Sequence, residues 1–283
     1  MGKFEGVLIC TDLDGTLYRN DKTISPENQE AIAYFKAEGG YFTFVTGRMP
    51  YYSREAYDSV QPNVPFGCIN GGGLFDGARN EYVWTKQLPG AYVELVACVD
   101  SLFHNVGIQV CGFDRTYFAK ENEVMVRFRQ ATGIPNYTCD YRKVSDPAGK
   151  ILFGTDLEEE ILGMERALRT HPLSGSFDFI RSERTLFEIL PKGVHKGLAL
   201  NKLTEYLHID PRMTIAIGDY DNDVGMFREA GFGIAVANAS PAALAASDRV
   251  TVTNEAHAIA CVIQELENGL FRPEYAKLGI TLQ

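Results

Sequence analysis

Short, wholly apolar runs separated by amphipathic stretches mark both ends of the chain. Residues 7–10 form a run of four apolar positions, which predicts a buried strand. Ser25-Pro26 then supplies an N-cap followed by proline at the first helical position. Ala31, Ile32 and Phe35 share one helical face, and Gly39-Gly40 ends it. Residues 41–45 and 66–69 read as further strands, the second running into Asn70-Gly71-Gly72-Gly73. Strand, helix and strand at this spacing predict a parallel sheet with crossover helices.

The middle of the chain has a different rhythm. Tyr92, Val96, Val99 and Phe103 recur at helical spacing, as do Ile161, Met164 and Leu168 after a cap-like Asp156-x-x-Glu159. Strand-like stretches at 107–111, 115–119, 150–154, 177–181 and 186–190 surround this pair of helices. After them the first style returns. Leu200, Leu203 and Leu207 make a helical stripe, and 214–217 and 233–236 are short buried strands. The expected architecture is therefore one α/β core, residues 1–85 with 188–283, interrupted by an α+β domain at 86–187.

Composition narrows the function classes. Across 283 residues, 27 basic against 37 acidic side chains give a formal charge of −10. That balance repels a phosphate backbone, so nucleic acid is not an expected partner. No apolar run approaches the roughly 18 residues of a membrane span, and no signal-peptide pattern opens the chain. The six cysteines are scattered without a C-x-x-C pair, the pattern of reduced thiols rather than disulfides or zinc ligands. A cytoplasmic protein is the expectation, with oligomeric state open between monomer and weak dimer.

The candidate chemistry lies where predicted strands stop. Asp12-Leu13-Asp14-Gly15-Thr16-Leu17 follows the first strand, and ligands of open α/β sheets gather at carboxyl ends of strands. Two carboxylates this close repel each other, and a hard divalent cation such as Mg²⁺ removes the conflict. The second strand ends in Thr46-Gly47-Arg48. Lys196 opens the late helical stripe after Gly193-Val194-His195, and residues 214–217 run into Gly218-Asp219-Tyr220-Asp221-Asn222-Asp223. Each feature alone is an ordinary turn or a solvated lysine; the combination is not.

In that order the four features resemble the motifs of the haloacid dehalogenase superfamily. Ile24-Ser25-Pro26, Asn70-Gly71, residues 190–194 and Asn238-Ala239 look like its Cof-type branch with a type-IIB cap. The resemblance spans nearly the whole chain. It implies a Rossmann-like core, an inserted cap, and Mg²⁺-dependent hydrolysis of a small phosphorylated metabolite, a sugar phosphate in the branch's usual case. Carried onto this sequence, Asp12 is the nucleophile that becomes an aspartyl-phosphate, and Asp14 the general acid and base. The implied metal set is Asp12, Asp14 (through its carbonyl), Asp219 and, directly or indirectly, Asp223. Thr46, Gly47, Lys196 and Asn222 are implied at the phosphate, with Asn70 and Gly71 near the substrate. Dehalogenases of the superfamily lack an acid at the position of Asp14, so its presence favours phosphoryl chemistry.

Two alternatives follow from the same residues. A phosphomutase uses the same intermediate but returns the phosphate to a sugar. A receiver-type signalling module also phosphorylates an aspartate, yet needs neither Asp14 nor an inserted domain. The sequence departs from the branch at Ala237, where glycine is usual, and at Ala256-His257, where Asp-Gly is usual.

Overall fold

The computed structural model describes residues 2–270. Two compact units divide them. One contains the residues up to Arg48, Ser53–Trp84 and those from His195 on; the other contains Met49–Tyr52 with Thr85–Val194.

The first unit is built on a five-stranded parallel sheet. Its spatial order is Arg249–Val250, Phe232–Ala235, Thr214–Gly218, Leu8–Thr11 and Tyr41–Phe44. Every residue of Leu8–Thr11 and of Thr214–Gly218 is buried. That explains why both read as unbroken apolar runs, since a parallel sheet is covered by helices on both faces. The helix Pro26–Ala37 starts as expected, with Ser25 Oγ accepting from the Asn28 N–H at 3.2 Å. Leu200 and Leu203 of the helix Lys196–Leu207 pack in a core cluster with Leu8, Cys10, Ala216 and Phe227. A three-stranded sheet of Phe66–Cys68, Gly73–Asp76 and Glu81–Thr85 completes the unit.

The second unit is a six-stranded sheet ordered Phe177–Glu183, Leu186–Pro191, Ala148–Gly154, Gly107–Gly112, Thr116–Lys120 and Tyr137–Thr138. The helices Tyr92–Leu102 and Glu158–Thr170 bury Val96, Val99, Ile161 and Met164 against Ile108, Val110, Ile151 and Phe153. Between the central strands, Lys150 and Glu188 form a buried ion pair at 3.0 Å.

Three sequence expectations are corrected here. The strand Leu186–Pro191 pairs with neighbours on both sides inside the second unit, so a boundary after residue 187 falls within it, and that unit runs on to Val194. Asp156 does not cap the following helix. Both its oxygens meet Arg127 Nη2, at 2.8 and 2.7 Å, while Thr155 Oγ1 accepts the Leu157 N–H. A further helix, Glu123–Thr132, is capped by Asn122, whose Oδ1 accepts the Met125 N–H at 2.9 Å. It buries only Val124 and Met125, too narrow a stripe to stand out as a period.

All six cysteines are free. Among the described residues no helix is long and apolar enough to cross a membrane.

Candidate active site

Parallel register places the chemistry. Thr11 lies opposite Ile217 on one side and Phe44 on the other, so the carboxyl ends of three strands stand side by side. Asp12, Asp219 and Thr46 follow those ends. The Asp12 N–H still donates to the Ile217 carbonyl at 2.8 Å, which anchors Asp12 at the rim of the sheet. The chain then turns at Gly15 with φ +84°, and a Cβ there would lie 2.4 Å from Asp219 Oδ2. Only glycine lets this turn close on the second acidic loop. Thr16 completes the approach, its Oγ1 donating to Asp219 Oδ1 at 2.7 Å.

Lys196 is the first residue of its helix, is 1% exposed, and reaches both loops. Its Nζ donates to Asp12 Oδ1 and to Asp223 Oδ1, each at 2.6 Å. Asp223 is fully buried, and its Oδ2 accepts the N–H groups of Asp219 and Tyr220, each at 3.0 Å. Both oxygens of Asp223 are thus engaged in holding the lysine and the turn. Its expected direct role at a metal meets that competition.

Carboxylate oxygens of Asp12, Asp219 and Asp223 lie within 4.8 Å of one another. Three carboxylates and one ammonium leave a formal charge of −2 in a nearly buried space. Burial pushes the Asp12 carboxyl well up, opposed by Lys196 and reinforced by Asp223, Asp219 and Asp14. Asp219 is pushed up to about 6, by burial first and Asp223 second. Burial works against the Lys196 ammonium, but Asp12 and Asp223 outweigh it and raise its pKa. Surplus negative charge on clustered oxygen donors is the set a hard divalent cation takes, so these residues fit such an ion.

The Thr46-Gly47-Arg48 turn is held from below. Thr46 and Arg48 carbonyls accept the N–H groups of Asn70 and Ile69, each at 3.0 Å, and Thr46 Oγ1 accepts the Arg48 N–H at 3.2 Å. Ile69 and Asn70 both have positive φ, 57° and 52°. For a β-branched residue that conformation is strained, costing on the order of 1–3 kcal/mol, and it is a hallmark of functional loops. Asn70 Oδ1 accepts from Asn222 Nδ2 at 3.2 Å, while Asn222 Oδ1 is buried without a partner. Gly71, expected near substrate, packs against the start of the Lys196 helix. With φ +97° it passes so close that a Cβ would sit 2.1 Å from the His195 carbonyl oxygen. It therefore helps to set where Lys196 begins.

Asp14 behaves unlike its neighbours. Its side chain turns to Arg48 (Nε–Oδ2 3.0 Å, Nη2–Oδ1 2.8 Å) and to Lys22 (Nζ–Oδ1 2.8 Å), and it is absent from the group of three gathered carboxylates. Burial works to raise its pKa, but Arg48 and Lys22 outweigh burial and lower it. Arg48 also lies 5.5 Å from the Tyr18 ring centroid. Sequence reasoning assigned no role to Thr16 or Lys22, and for Arg48 it weighed a reach toward substrate against a surface role. Thr16 and Arg48 stand inside the quoted motifs, which was the signal for them; Lys22 had none.

Comparison with known proteins agrees with this geometry. The sequence pattern of the haloacid dehalogenase-like hydrolases matches residues 9–263. A 5-amino-6-(5-phospho-D-ribitylamino)uracil phosphatase of Bacillus subtilis, YitU, is 30% identical over 272 residues, covering 91% of this chain and 96% of that protein. Another of the same name from that organism, YcsE, is 26% identical over 91% of this chain and 94% of its own. Among solved structures, a haloacid dehalogenase-like hydrolase from Bacteroides thetaiotaomicron has a TM-score of 0.82 at 25% identity, over 92% of this chain and 99% of that one. A subclass IIB sugar phosphatase shares the fold, with a TM-score of 0.79 at 21% identity over 92% of this chain and 98% of its own.

Proposed function

The chain belongs to the haloacid dehalogenase-like hydrolase family and acts on phosphate esters, and we propose that it releases phosphate from a small metabolite through an aspartyl-phosphate on Asp12. The observation that supports this reading most is the meeting of Asp12, Lys196, Asp219 and Asp223 at adjacent strand ends. A carboxylate cannot approach a phosphate dianion without positive charge between them. Lys196 supplies part of it, fixed 2.6 Å from Asp12 by its second bond to Asp223.

In the first half-reaction an Asp12 oxygen attacks phosphorus, the bond to the leaving oxygen breaks, and Asp14 delivers a proton to that oxygen. In the second, Asp14 takes a proton from water, the resulting oxygen attacks phosphorus, and the bond to Asp12 breaks. Inorganic phosphate leaves and Asp12 is restored. As held by Arg48 and Lys22, Asp14 is a carboxylate, the form that accepts water's proton. To deliver a proton it must give up those cations. The Thr46 hydroxyl, with the N–H groups near Leu13 and Gly47, supplies donors for phosphoryl oxygens. Asp12, Asp219 and the Asp14 carbonyl would hold Mg²⁺, which when bound would supply the remaining positive charge between nucleophile and phosphate.

For the substrate we carry over a class. The name of the relatives' substrate contains a phosphorylated ribityl group, a polyol phosphate, and a sugar or sugar-alcohol phosphate is the reading we adopt. The test is a panel of phosphorylated metabolites with the full-length protein and Mg²⁺. Free phosphate should appear fastest from sugar and sugar-alcohol esters and stop on adding EDTA. An isomerised sugar phosphate without free phosphate marks a mutase instead, and preference for a non-polyol ester overturns the substrate class.

A further inference from the structure

A third loop that carries no acid of the site is hydrogen-bonded to both acidic loops. Residues 236–240 follow the strand Phe232–Ala235 and touch both loops at once. Asn238 Nδ2 donates to the Gly15 carbonyl at 2.9 Å, gripping the turn that follows Asp12 and Asp14. Two residues on, the Ser240 N–H donates to the Asp219 carbonyl at 2.8 Å, and Ser240 Oγ donates to Asp221 Oδ1 at 2.7 Å. Asn238 is itself oriented, because its Oδ1 accepts the Asn254 N–H at 2.9 Å. The buried Asn254 side chain then holds the Tyr18 carbonyl at 3.0 Å and Asn20 Oδ1 at 3.2 Å, farther along the same turn.

Such bracing has electrostatic work to do. Asp12, Asp219 and Asp223 repel one another at close range, and Gly15 has no side chain to wedge the loops in place. Thr16 Oγ1 to Asp219 Oδ1 is the direct tie between the loops, and it uses a carboxylate oxygen that a cation also wants. The ties through Asn238 and Ser240 go to the Gly15 and Asp219 carbonyls and to the Asp221 side chain, so they hold the spacing without consuming a carboxylate oxygen of Asp12 or Asp219. A cation needs carboxylates already at the right separation, since ligands held in place lose less freedom on binding.

We propose that Asn238 and Ser240 are positioning residues that preset the Asp12–Asp219 separation and thereby set the affinity for the divalent cation. The inference rests on the metal reading above, and its test separates the two. Mg²⁺ is titrated calorimetrically into full-length wild type, Asn238→Ala and Asn254→Ala without substrate, and the unfolding midpoint of each is measured in EDTA. Losing one hydrogen bond of this kind should weaken Mg²⁺ binding roughly three- to tenfold in Asn238→Ala. The exposed position of Asn238 predicts a metal-free unfolding midpoint close to wild type. Asn254→Ala should weaken Mg²⁺ binding in the same direction and also lower that midpoint, because its amide is buried. Asn238→Gln, which keeps the donor, should recover part of the affinity. Wild-type Mg²⁺ affinity in Asn238→Ala overturns the proposal while leaving the metal site intact. Failure of the wild type to bind Mg²⁺ overturns both.

Discussion

Arg48 grips Asp14 side-on, with Nε 3.0 Å from Oδ2 and Nη2 2.8 Å from Oδ1, while Asp12 two residues earlier is held by Lys196. One short motif therefore carries two carboxylates with opposite surroundings, the first pushed up in pKa by burial and the second lowered by cations. Two jobs for two aspartates follow from that difference.

Replacing Arg48 with glutamine releases Asp14 toward its ordinary titration. Because the folded-state pKa of Asp14 is lowered, the stability from this pair is present above the ordinary carboxylate value of about 4 and is lost as pH falls through the folded value. The stability difference between wild type and Arg48→Gln should therefore be constant near neutrality and vanish in acid. Urea unfolding at several pH values reads it, and a gap that persists at the lowest pH contradicts it.

Asp12→Asn should reduce hydrolysis of p-nitrophenyl phosphate to below about a thousandth of wild type, since it removes the proposed nucleophile. Asp14→Asn should cost roughly 10²–10⁴ in kcat through loss of proton transfer. Circular dichroism should show both variants folded. Near-normal turnover by Asp12→Asn would remove the covalent step from consideration.

Lys196 sits among carboxylates with almost no solvent to replace it. In EDTA at neutral pH, Lys196→Met should lower unfolding free energy by about 3–5 kcal/mol, the range for stripping one partner from a buried ion pair. Excess Mg²⁺ should recover part of that loss, visible as a larger upward shift in unfolding temperature than wild type shows. An unchanged metal-free midpoint would mean that the carboxylates do not depend on the lysine.

Asp219 yields a pH signature of opposite sign to Asp14. Its folded pKa is pushed up to about 6, so between the ordinary value of about 4 and 6 the folded protein binds more protons, and metal-free stability falls as pH rises. In EDTA, Asp219→Asn should be more stable than wild type at pH 7.5, by on the order of 2 kcal/mol, and no more stable at pH 4. With saturating Mg²⁺ the order should reverse at pH 7.5. Urea titrations with and without the metal decide it.

Much of this was legible in the chain because the signals are local. Buried parallel strands read as apolar runs, Ser25-Pro26 announces a helix, and acids placed after such strands belong at a sheet rim. Less was legible where several local rules compete. Asp156 had the spacing of a cap, yet Arg127 offered it a charged partner, and the helix starts after Leu157 with no side-chain cap. The strand Leu186–Pro191 reads as a short, mostly apolar run and is buried throughout, and nothing in such a run says which sheet it joins.

By itself the sequence determined the fold class, the order of the motifs and the strand ends on which Asp12, Thr46 and Asp219 stand, because backbone propensity and apolar period act over a few residues. Only the tertiary structure decided the partners: Arg48 for Asp14 across 34 positions, Thr16 for Asp219 across 203, Asn238 for Gly15 across 223. Side chains so far apart meet through sheet register and loop closure, and a one-residue shift of either would give each of them a different neighbour.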